Sequence, residues 1–373
     1  MPPQDNVDLN VHYALEKFLL TRQGFYPMKT TPWWFYLSRY YNTTISLVLL
    51  SLLVLYVFFT TGGDLVKLCE NLLFFVTELA FVCKLINIVV LKDRLWLLER
   101  QLSELSQREF TEEEKKLIDR TVQEARKFTH SFRWLCYAVV LFYALVPLID
   151  QEEGNRKSPL PIWVPFDLQE HYFYAWFFSI SALSVGAFTN SNIDILTILY
   201  ITIGTSQFEV LKRRFTAVVE FVEGTEEVDE EAVKARLREC VIYFDDVYSA
   251  LTICMTGFQL LIIEIASVNF VSMNVYFSCM MCQIVMYCWS GNRLIESSDE
   301  LSNACYSSKW YECSASVQKT ITVIMERAKV PVKMRAAGFF SISLPTLMSI
   351  LRTSYSYFAV LRHVYQTLYV NRE

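Results

Sequence analysis

The sequence predicts an all-α membrane protein that crosses the bilayer seven times, with its N-terminus cytosolic and its C-terminus extracellular. Three observations lead there. The 373 residues are 53% hydrophobic and 15% aromatic but only 20% charged, which is low for a soluble chain of this size. Apolar runs long enough to cross the ~30 Å hydrocarbon core occur at 36–60, 65–91, 132–149, 173–204, 249–268, 270–290 and 338–366. The third observation is charge asymmetry. With the N-terminal segment and the linkers 92–130, 206–247 and 291–337 on one face, that face holds roughly 26 of the 34 Lys and Arg residues, against about three on the other. The basic face is the cytosolic one. The net charge of −5 says little once the charges are segregated, and no basic tract with interleaved aromatics marks a nucleic-acid partner.

Residues 1–35 form a cytosolic segment with a polar start and no apolar core followed by a small-residue cleavage site, so the first span must serve as the insertion signal. Asn42-Thr43-Thr44 then lies at the inner membrane boundary. Residues 36–204 hold the first four spans. Between the second and third, Leu95, Leu98, Leu102 and Leu105 recur at heptad-like spacing ahead of Glu112-Glu113-Glu114-Lys115-Lys116, which predicts membrane helices continuing into the cytosol as amphipathic rods. The 205–248 linker has the same character, with an acidic run from Glu223 to Glu231 read as an exposed turn. Spans five and six occupy 249–290, and a linker rich in aromatics and Cys fills 291–337.

On the outer face only Asp150 to His171 is long. Pro159, Pro161 and Pro165 with Trp163 and Phe166 make it stiff and apolar-tipped, suited to folding back over the bundle mouth as a lid. Beneath it, the second, third, fourth and sixth spans carry large side chains or polar handles in their outer halves. These are Leu73, Phe74, Thr77 and Glu78; Phe142, Leu145 and Val146; Tyr172, Trp176, Ser179 and Leu183; and Tyr276 and Met280. An apolar cavity with few polar groups suits a small volatile ligand, whereas the plainer reading of each residue is bundle packing. Glu78 stands out, because an acid inside a span must line water or find a partner, such as Lys84 or a tyrosine of a neighbouring helix.

The last segment, 338–373, carries a hydroxyl stripe of Ser341, Ser343, Thr346, Ser349, Thr353 and Ser356 beside an apolar face of Leu344, Leu347, Ile350, Leu351 and Tyr357. Such a stripe wants water or another helix, so the segment either packs tightly in the bundle or lines an aqueous pore.

Ser354-Tyr355-Ser356-Tyr357-Phe358, preceded by Ala337-Gly338-Phe339-Phe340, resembles the C-terminal signature of the insect odorant receptors. The resemblance runs upstream through Tyr287-Cys288-Trp289-Ser290-Gly291-Asn292, Glu296-Ser297, Leu301, Ala304-Cys305-Tyr306 and Trp310-Tyr311, and its motifs cover about the last 90 residues. Gustatory receptors end differently, and Ser356-Tyr357 followed by Val364-Tyr365 departs from their pattern. The resemblance implies a tuning subunit of a tetrameric, odorant-gated, nonselective cation channel. Its partners would be a shared co-receptor subunit in a heterotetramer, a volatile odorant, permeating cations and the lipid of the plasma membrane of olfactory sensory neurons. The large inner insertion that co-receptors carry before the fifth helix has no counterpart in the 206–247 linker.

The family's outer-half pocket falls on the thirteen residues above. Its cytosolic anchor, where four subunits meet, falls on 291–337, with Trp310, Tyr311, Val317, Ile321, Val323 and Ile324 among the contacts; an amphipathic helix lying on the membrane is the alternative. Its pore-lining helix falls on 338–373, with Val360 where apolar side chains close the path, His363 one turn further out, and Ser356 on the same stripe.

Other classes fit poorly. A seven-helix receptor coupled to G proteins has its N-terminus outside, and this chain lacks Asp-Arg-Tyr in the third span and Asn-Pro-x-x-Tyr in the seventh. A transporter should show paired, Gly/Pro-interrupted spans, and Pro345 is the one proline read as lying within a span. Four scattered histidines and no His-x-x-Glu-His or Gly-x-Ser-x-Gly pattern predict no catalytic residues and no cofactor. The ten cysteines fall in spans or inner linkers, and Cys279-x-x-Cys282, without a second pair, predicts no metal site.

Overall fold

The computed structural model describes residues 9–28, 31–59, 65–90, 92–149, 158–217, 233–238, 240, 270–336 and 340–352. A 3-10 turn, Leu9–His12, leads into α1 (Ala14–Arg22), α2 (Trp33–Phe59), α3 (Leu65–Val90), α4 (Lys92–Ser106), α5 (Glu112–Ile149), α6 (Tyr172–Thr216) and α7 (Phe270–Ser307). A turn at Trp310–Glu312, α8 (Ala315–Ala328) and a two-residue antiparallel pair follow, with β1 (Arg335–Ala336) set against β2 (Phe340–Ser341). Residues 344–352 are again helical. Five of the expected spans coincide with α2, α3, α6, the C-terminal part of α5 and the N-terminal part of α7, while 249–268 lies outside the described residues. Among the described residues, α2, α5 and α6 are long and apolar enough to cross a membrane, and Phe74–Val90 with Lys92–Ser106, bent by 66°, adds a fourth when the pair is counted as one span.

The rods are longer than the apolar runs. At 1.5 Å per residue, the 38 residues of α5 and 45 of α6 span about 57 and 68 Å, roughly twice a hydrocarbon core. Boundaries expected at 205 and 290 are therefore passed without a break. Helix α6 continues because Phe208, Val210, Leu211 and Phe215 stay buried beyond its apolar run, and α7 continues because Leu294, Leu301 and Cys305 do the same. Gly291 interrupts nothing; a Cβ there would stand 2.4 Å from the Ile342 carbonyl oxygen, so the glycine permits contact between two backbones.

Two expectations need correction. The apolar run from Gly338 predicts helix throughout, yet Phe340–Ser341 is a strand and the helix starts at 344. Ser343 accepts the Leu347 N–H through its carbonyl, and Pro345 occupies the first turn, where a missing N–H costs nothing. Ser341 thus drops out of the helical stripe, and Leu344 and Leu351 are exposed while Ser343 and Leu347 are buried. Second, Pro345 is not the one proline in a span, since Pro147 lies within the last turn of α5. Lacking an N–H, it forfeits one bond of that turn, and its carbonyl accepts the Tyr172 hydroxyl at 3.3 Å.

Helix α6 is the axis of the bundle, packed chiefly between α5 and α7 with α1, α2 and α3 also against it. From Thr189 to Phe208 nearly every residue is buried, polar ones included. Most hydroxyls return to the helix itself: Thr197, Thr202 and Thr205 donate to the carbonyls of Ile193, Ile198 and Ile201 at 2.8–3.0 Å. Asp194 cannot do this. Its fully buried carboxylate accepts from Lys84 Nζ of α3 at 2.7 Å, and from Gln283 Nε2 and Tyr287 Oη of α7 at 2.7 Å each. Lys84 also donates to Asn190 at 2.8 Å. Three helices are thereby pinned at one point.

One end of the bundle is charged. The α4 leucines at 98, 102 and 105 are buried as their spacing predicts, with Leu95 packed alongside. Thr111 and Glu114 form a capping box on α5, with Glu114 Oε2 accepting the Thr111 N–H at 2.9 Å and Thr111 Oγ1 accepting the Glu114 N–H at 3.3 Å. Glu114 also receives Arg214 from the end of α6 at 2.7 and 3.0 Å. Helix α1 packs at this end: Glu16 accepts from Arg133 at 2.6 Å, Tyr26 donates to Glu99 at 2.6 Å, and Lys17 pairs with Glu99. On α8, Val317 and Ile321 are buried and Ile324 packs inward with Trp310, whereas Val323 is 62% and Tyr311 63% exposed.

Burial alone would raise the Glu114 carboxyl, but Arg214 and the Thr111 bonds outweigh it and hold the group below the usual Glu range. A carboxylate lowered by folding contributes stability above the unfolded value, ~4.3, and that stability is lost as pH falls through the lower folded value. Melting in detergent should show this acid-side loss, and Glu114→Gln should remove that part of the pH dependence. Arg214→Ala, which strands a buried carboxylate, should cost about 3 kcal/mol and lower Tm by several degrees. At the other pair, Lys84→Met should cost about 3–5 kcal/mol by leaving Asp194 without its cation, and Lys84→Met combined with Asp194→Asn should restore most of the lost Tm. A double variant no more stable than Lys84→Met would show that the pair is not coupled.

Candidate functional site

At the end of the bundle opposite the charged rods, α2, α3, α5 and α6 converge on an apolar cluster. Leu49, Leu53, Phe74, Val139, Tyr143 and Ala182 are buried in it, with Ile45, Phe142, Phe178 and Leu183 packed around them. The rings of Phe74 and Tyr143 meet edge to face at 5.7 Å. The cluster is roofed by the described part of the loop before α6. Leu160 and Ile162 insert into it and Val164 packs against it. The loop is fastened by backbone and side chain together: Trp163 N–H donates to the Leu52 carbonyl at 3.2 Å, and buried Asn71 donates to the carbonyls of Leu53 at 2.9 Å and Pro161 at 3.0 Å. Trp163 rests against Phe59 with ring centroids 5.3 Å apart.

The lid expectation thus finds a counterpart, but with different residues pointing in. Trp163 sits on the rim beside α2, and Phe166 is exposed beside His171. The inserted residues follow a period of two, with Pro159, Pro161, Trp163 and Pro165 between them, which is the signal an extended segment packing on one side leaves in a sequence.

Of the thirteen expected pocket residues, the structure gathers Phe74, Phe142 and Leu183 in this cluster. Thr77 is half-buried, its hydroxyl bonded to the Phe74 carbonyl at 3.1 Å. Tyr172 and Ser179 are buried on α6, and Trp176 is tied to α5 by its indole N–H, which donates to the Ala144 carbonyl at 3.1 Å. Leu145 is 45% exposed and stands outside the cluster. Leu73, Val146, Tyr276 and Met280 lie on α3, α5 and α7, and their side chains are outside the described set. Ser356, Val360 and His363 also lie outside the described residues. Val139, Tyr143, Leu160 and Ile162 are members that sequence reasoning missed.

Glu78 does not pair with Lys84, which is engaged by Asp194. Its carboxyl lies against α6, where a Cβ on Gly186 would stand 3.6 Å from Glu78 Oε2. Ser46 of α2 is its polar neighbour, with neither Ser46 Oγ nor Glu78 Oε1 hydrogen-bonded among the described residues. Asp194, the more deeply buried acid, passed unnoticed because it is a single charge in an apolar run. The opposite charge on Lys84, also within a span, was the available clue.

The site contains large apolar surfaces, a few hydroxyls and one carboxyl, which equips it to hold a small apolar molecule by contact. The model of the 7tm odorant receptor family matches residues 64–248 and 245–355. Odorant receptor 94a of Drosophila melanogaster is 24% identical over 312 residues, 78% of this chain and 79% of that protein. Odorant receptor 10 of Aedes albopictus is 32% identical over 115 residues, 31% of this chain and 30% of that one. Among solved structures, the insect olfactory receptor OR5 from Machilis hrabei superposes with a TM-score of 0.75, and its complex with eugenol with 0.74. Each is 18% identical and covers 96% of this chain and all of the solved one, a likeness of fold. A family match across most of the chain, on the same helical membrane fold, makes this protein a member of the insect odorant receptor family, a receptor and not an enzyme.

Proposed function

We propose that this chain is the odorant-binding subunit of a ligand-gated, nonselective cation channel, assembled as a tetramer with a shared co-receptor in the plasma membrane of olfactory sensory neurons. The observation that carries the reading is the roofed apolar cluster at one end of α2, α3, α5 and α6. It offers a volatile molecule aromatic and aliphatic contact with little demand for hydrogen bonds, and the solved relative was captured with eugenol, itself a small aromatic volatile. In this reading the cluster end is extracellular and the charged rods are cytosolic, which agrees with the Lys and Arg asymmetry. Seven crossings put the C-terminus outside. Of the expected contacts in 291–337, Tyr311 and Val323 are exposed and available to meet other subunits, whereas Val317 and Ile321 face inward. Residues 338–373 contribute the pore-lining helix.

Mechanistically, the ligand must favour an open arrangement by binding it more tightly than the closed one, since nothing else supplies the driving force. Val360 is assigned to the closing ring and His363 to the vestibule beyond it. A narrow apolar ring stops ions by dewetting, without a plug.

Recording from cells that express the chain with and without a co-receptor, across a panel of volatile alcohols, esters, ketones and phenols, should give currents only with the pair. A surface-accessible N-terminal tag on intact cells would overturn the orientation. Phe74→Ala should re-rank the agonists while leaving surface expression largely intact, because it enlarges the cluster by most of a ring. An unchanged ranking would move the pocket elsewhere. Val360→Ser should raise the agonist-free current, partially where co-receptor subunits supply the rest of the ring; a variant at the surface with neither basal current nor altered permeation would remove this residue from the gate.

A further inference from the structure

Helices α1 and α2 meet at a corner built to one geometry. Gly24 adopts φ 83°, and a Cβ there would stand 2.6 Å from the Phe35 carbonyl oxygen, so only glycine allows the turn to press on α2. Three side chains of α2 then tie the turn down. Arg39 Nε donates to the Gly24 carbonyl at 2.6 Å, Ser38 Oγ to the Arg22 carbonyl at 2.8 Å, and Asn42 Nδ2 to the Gln23 carbonyl at 3.0 Å. The corner is rigid, so what it displays on its outside is held in place.

That outside is apolar and aromatic. From the N-terminal segment, Val11, Leu15 and Phe18 are exposed at a spacing of four and three; from α2, Trp33, Tyr36, Leu37 and Tyr40 are exposed, Trp33 by 76%. The two faces join at Arg22. Its guanidinium lies over the Phe18 ring at 5.4 Å and the Trp34 ring at 5.6 Å, and no carboxylate pairs with it among the described residues. A cation pre-positioned between two rings, within a surface of Trp and Tyr and at the start of a helix that can cross the bilayer, has the chemistry of a lipid–water interface. Rings settle at headgroup depth. The planar guanidinium fits a phosphate with paired hydrogen bonds.

We propose that the α1–α2 corner is a binding site for an anionic phospholipid of the leaflet on its side of the membrane, with Arg22 taking the headgroup phosphate and Phe18, Trp33 and Tyr40 resting on the acyl–headgroup boundary. Arg22 is one of two arginines at the corner; Arg39 is half-buried over Phe35 and spends its Nε on Gly24, which leaves Arg22 as the group facing outward. The chemistry requires both halves. A free anion would find no use for the rings, and a zwitterionic lipid, whose phosphate is offset by its own cation, would hold the arginine less tightly.

The test uses the full chain purified in neutral detergent, titrated with dioctanoyl phosphatidylserine, dioctanoyl phosphatidylcholine or inorganic phosphate while thermal unfolding is followed. Phosphatidylserine should raise Tm saturably, and the other two should do so far less. Arg22→Gln should weaken apparent binding about fivefold, the contribution expected of one interfacial arginine, and Trp33→Ser should weaken it further. Arg100→Gln, at an arginine of α4 that pairs with Glu104, should bind as the wild type. Equal shifts with the serine and choline lipids would overturn the proposal, as would an equal shift with phosphate alone or unaltered binding by Arg22→Gln. None of these outcomes depends on odorant gating.

Discussion

A helix surrounded on every side must settle its polar groups within the protein, and α6 is such a helix from Ser191 to Phe208. Between Thr189 and Gln207 it contains Thr189, Ser191, Asn192, Asp194, Thr197, Thr202, Thr205, Ser206 and Gln207, all buried. Most of the hydroxyls are absorbed by their own helix. The carboxylate of Asp194 is different, because an isolated charge at that depth is prohibitively unfavourable. It therefore fixes where Lys84 of α3 and Gln283 and Tyr287 of α7 must stand, and so fixes the rotation and register of two other helices. Apolar packing between helices tolerates sliding and re-packing, whereas a carboxylate with three donors at 2.7 Å does not. The arrangement of the bundle follows from this one demand.

The two ends of α6 then diverge. Towards Tyr172 its neighbours are rings, aliphatic side chains and a proline-stiffened loop, and the few polar atoms present include several with no hydrogen bond among the described residues. Towards Thr216 its neighbours are charged rods joined by capping and ion pairs, as at Glu114 and Arg214. A small apolar ligand is suited to the first end. The Asp194 network lies between the two, so any rearrangement passing from one to the other has to move through it or around it.

What the sequence disclosed, and what it withheld, follows from the range of the interactions. Leu98, Leu102 and Leu105 were legible because their burial is a matter of helical period, which needs no knowledge of the partner. The loop was legible as a stiff, inward-folding segment because proline acts locally. Its inserted residues, Leu160 and Ile162, were overshadowed by the larger Trp163 and Phe166, although their alternation was in plain view. Lys84 and Asp194 are 110 positions apart, and no local pattern pairs them. The start of the last helix was misjudged for a simpler reason. At its first few residues strand and helix read equally well, and the pairing of Arg335 with Ser341 and the bond from Ile342 N–H to the Met334 carbonyl, at 2.8 Å, make the strand.

The contact at Gly291 has one more consequence. Side chains that touch can rotate, and a displacement of an ångström on one partner is taken up by torsions before it reaches the other. At Gly291 there is no side chain to rotate, and α7 bears directly on the Ile342 main chain. A second fastening, from Val332 N–H to Ser298 Oγ at 2.9 Å, holds the other arm of the same short hairpin to the same helix. One attachment through main chain and one through a short serine side chain couple the hairpin to α7, so that a tilt of α7 bears on the helix that begins two residues beyond Ile342.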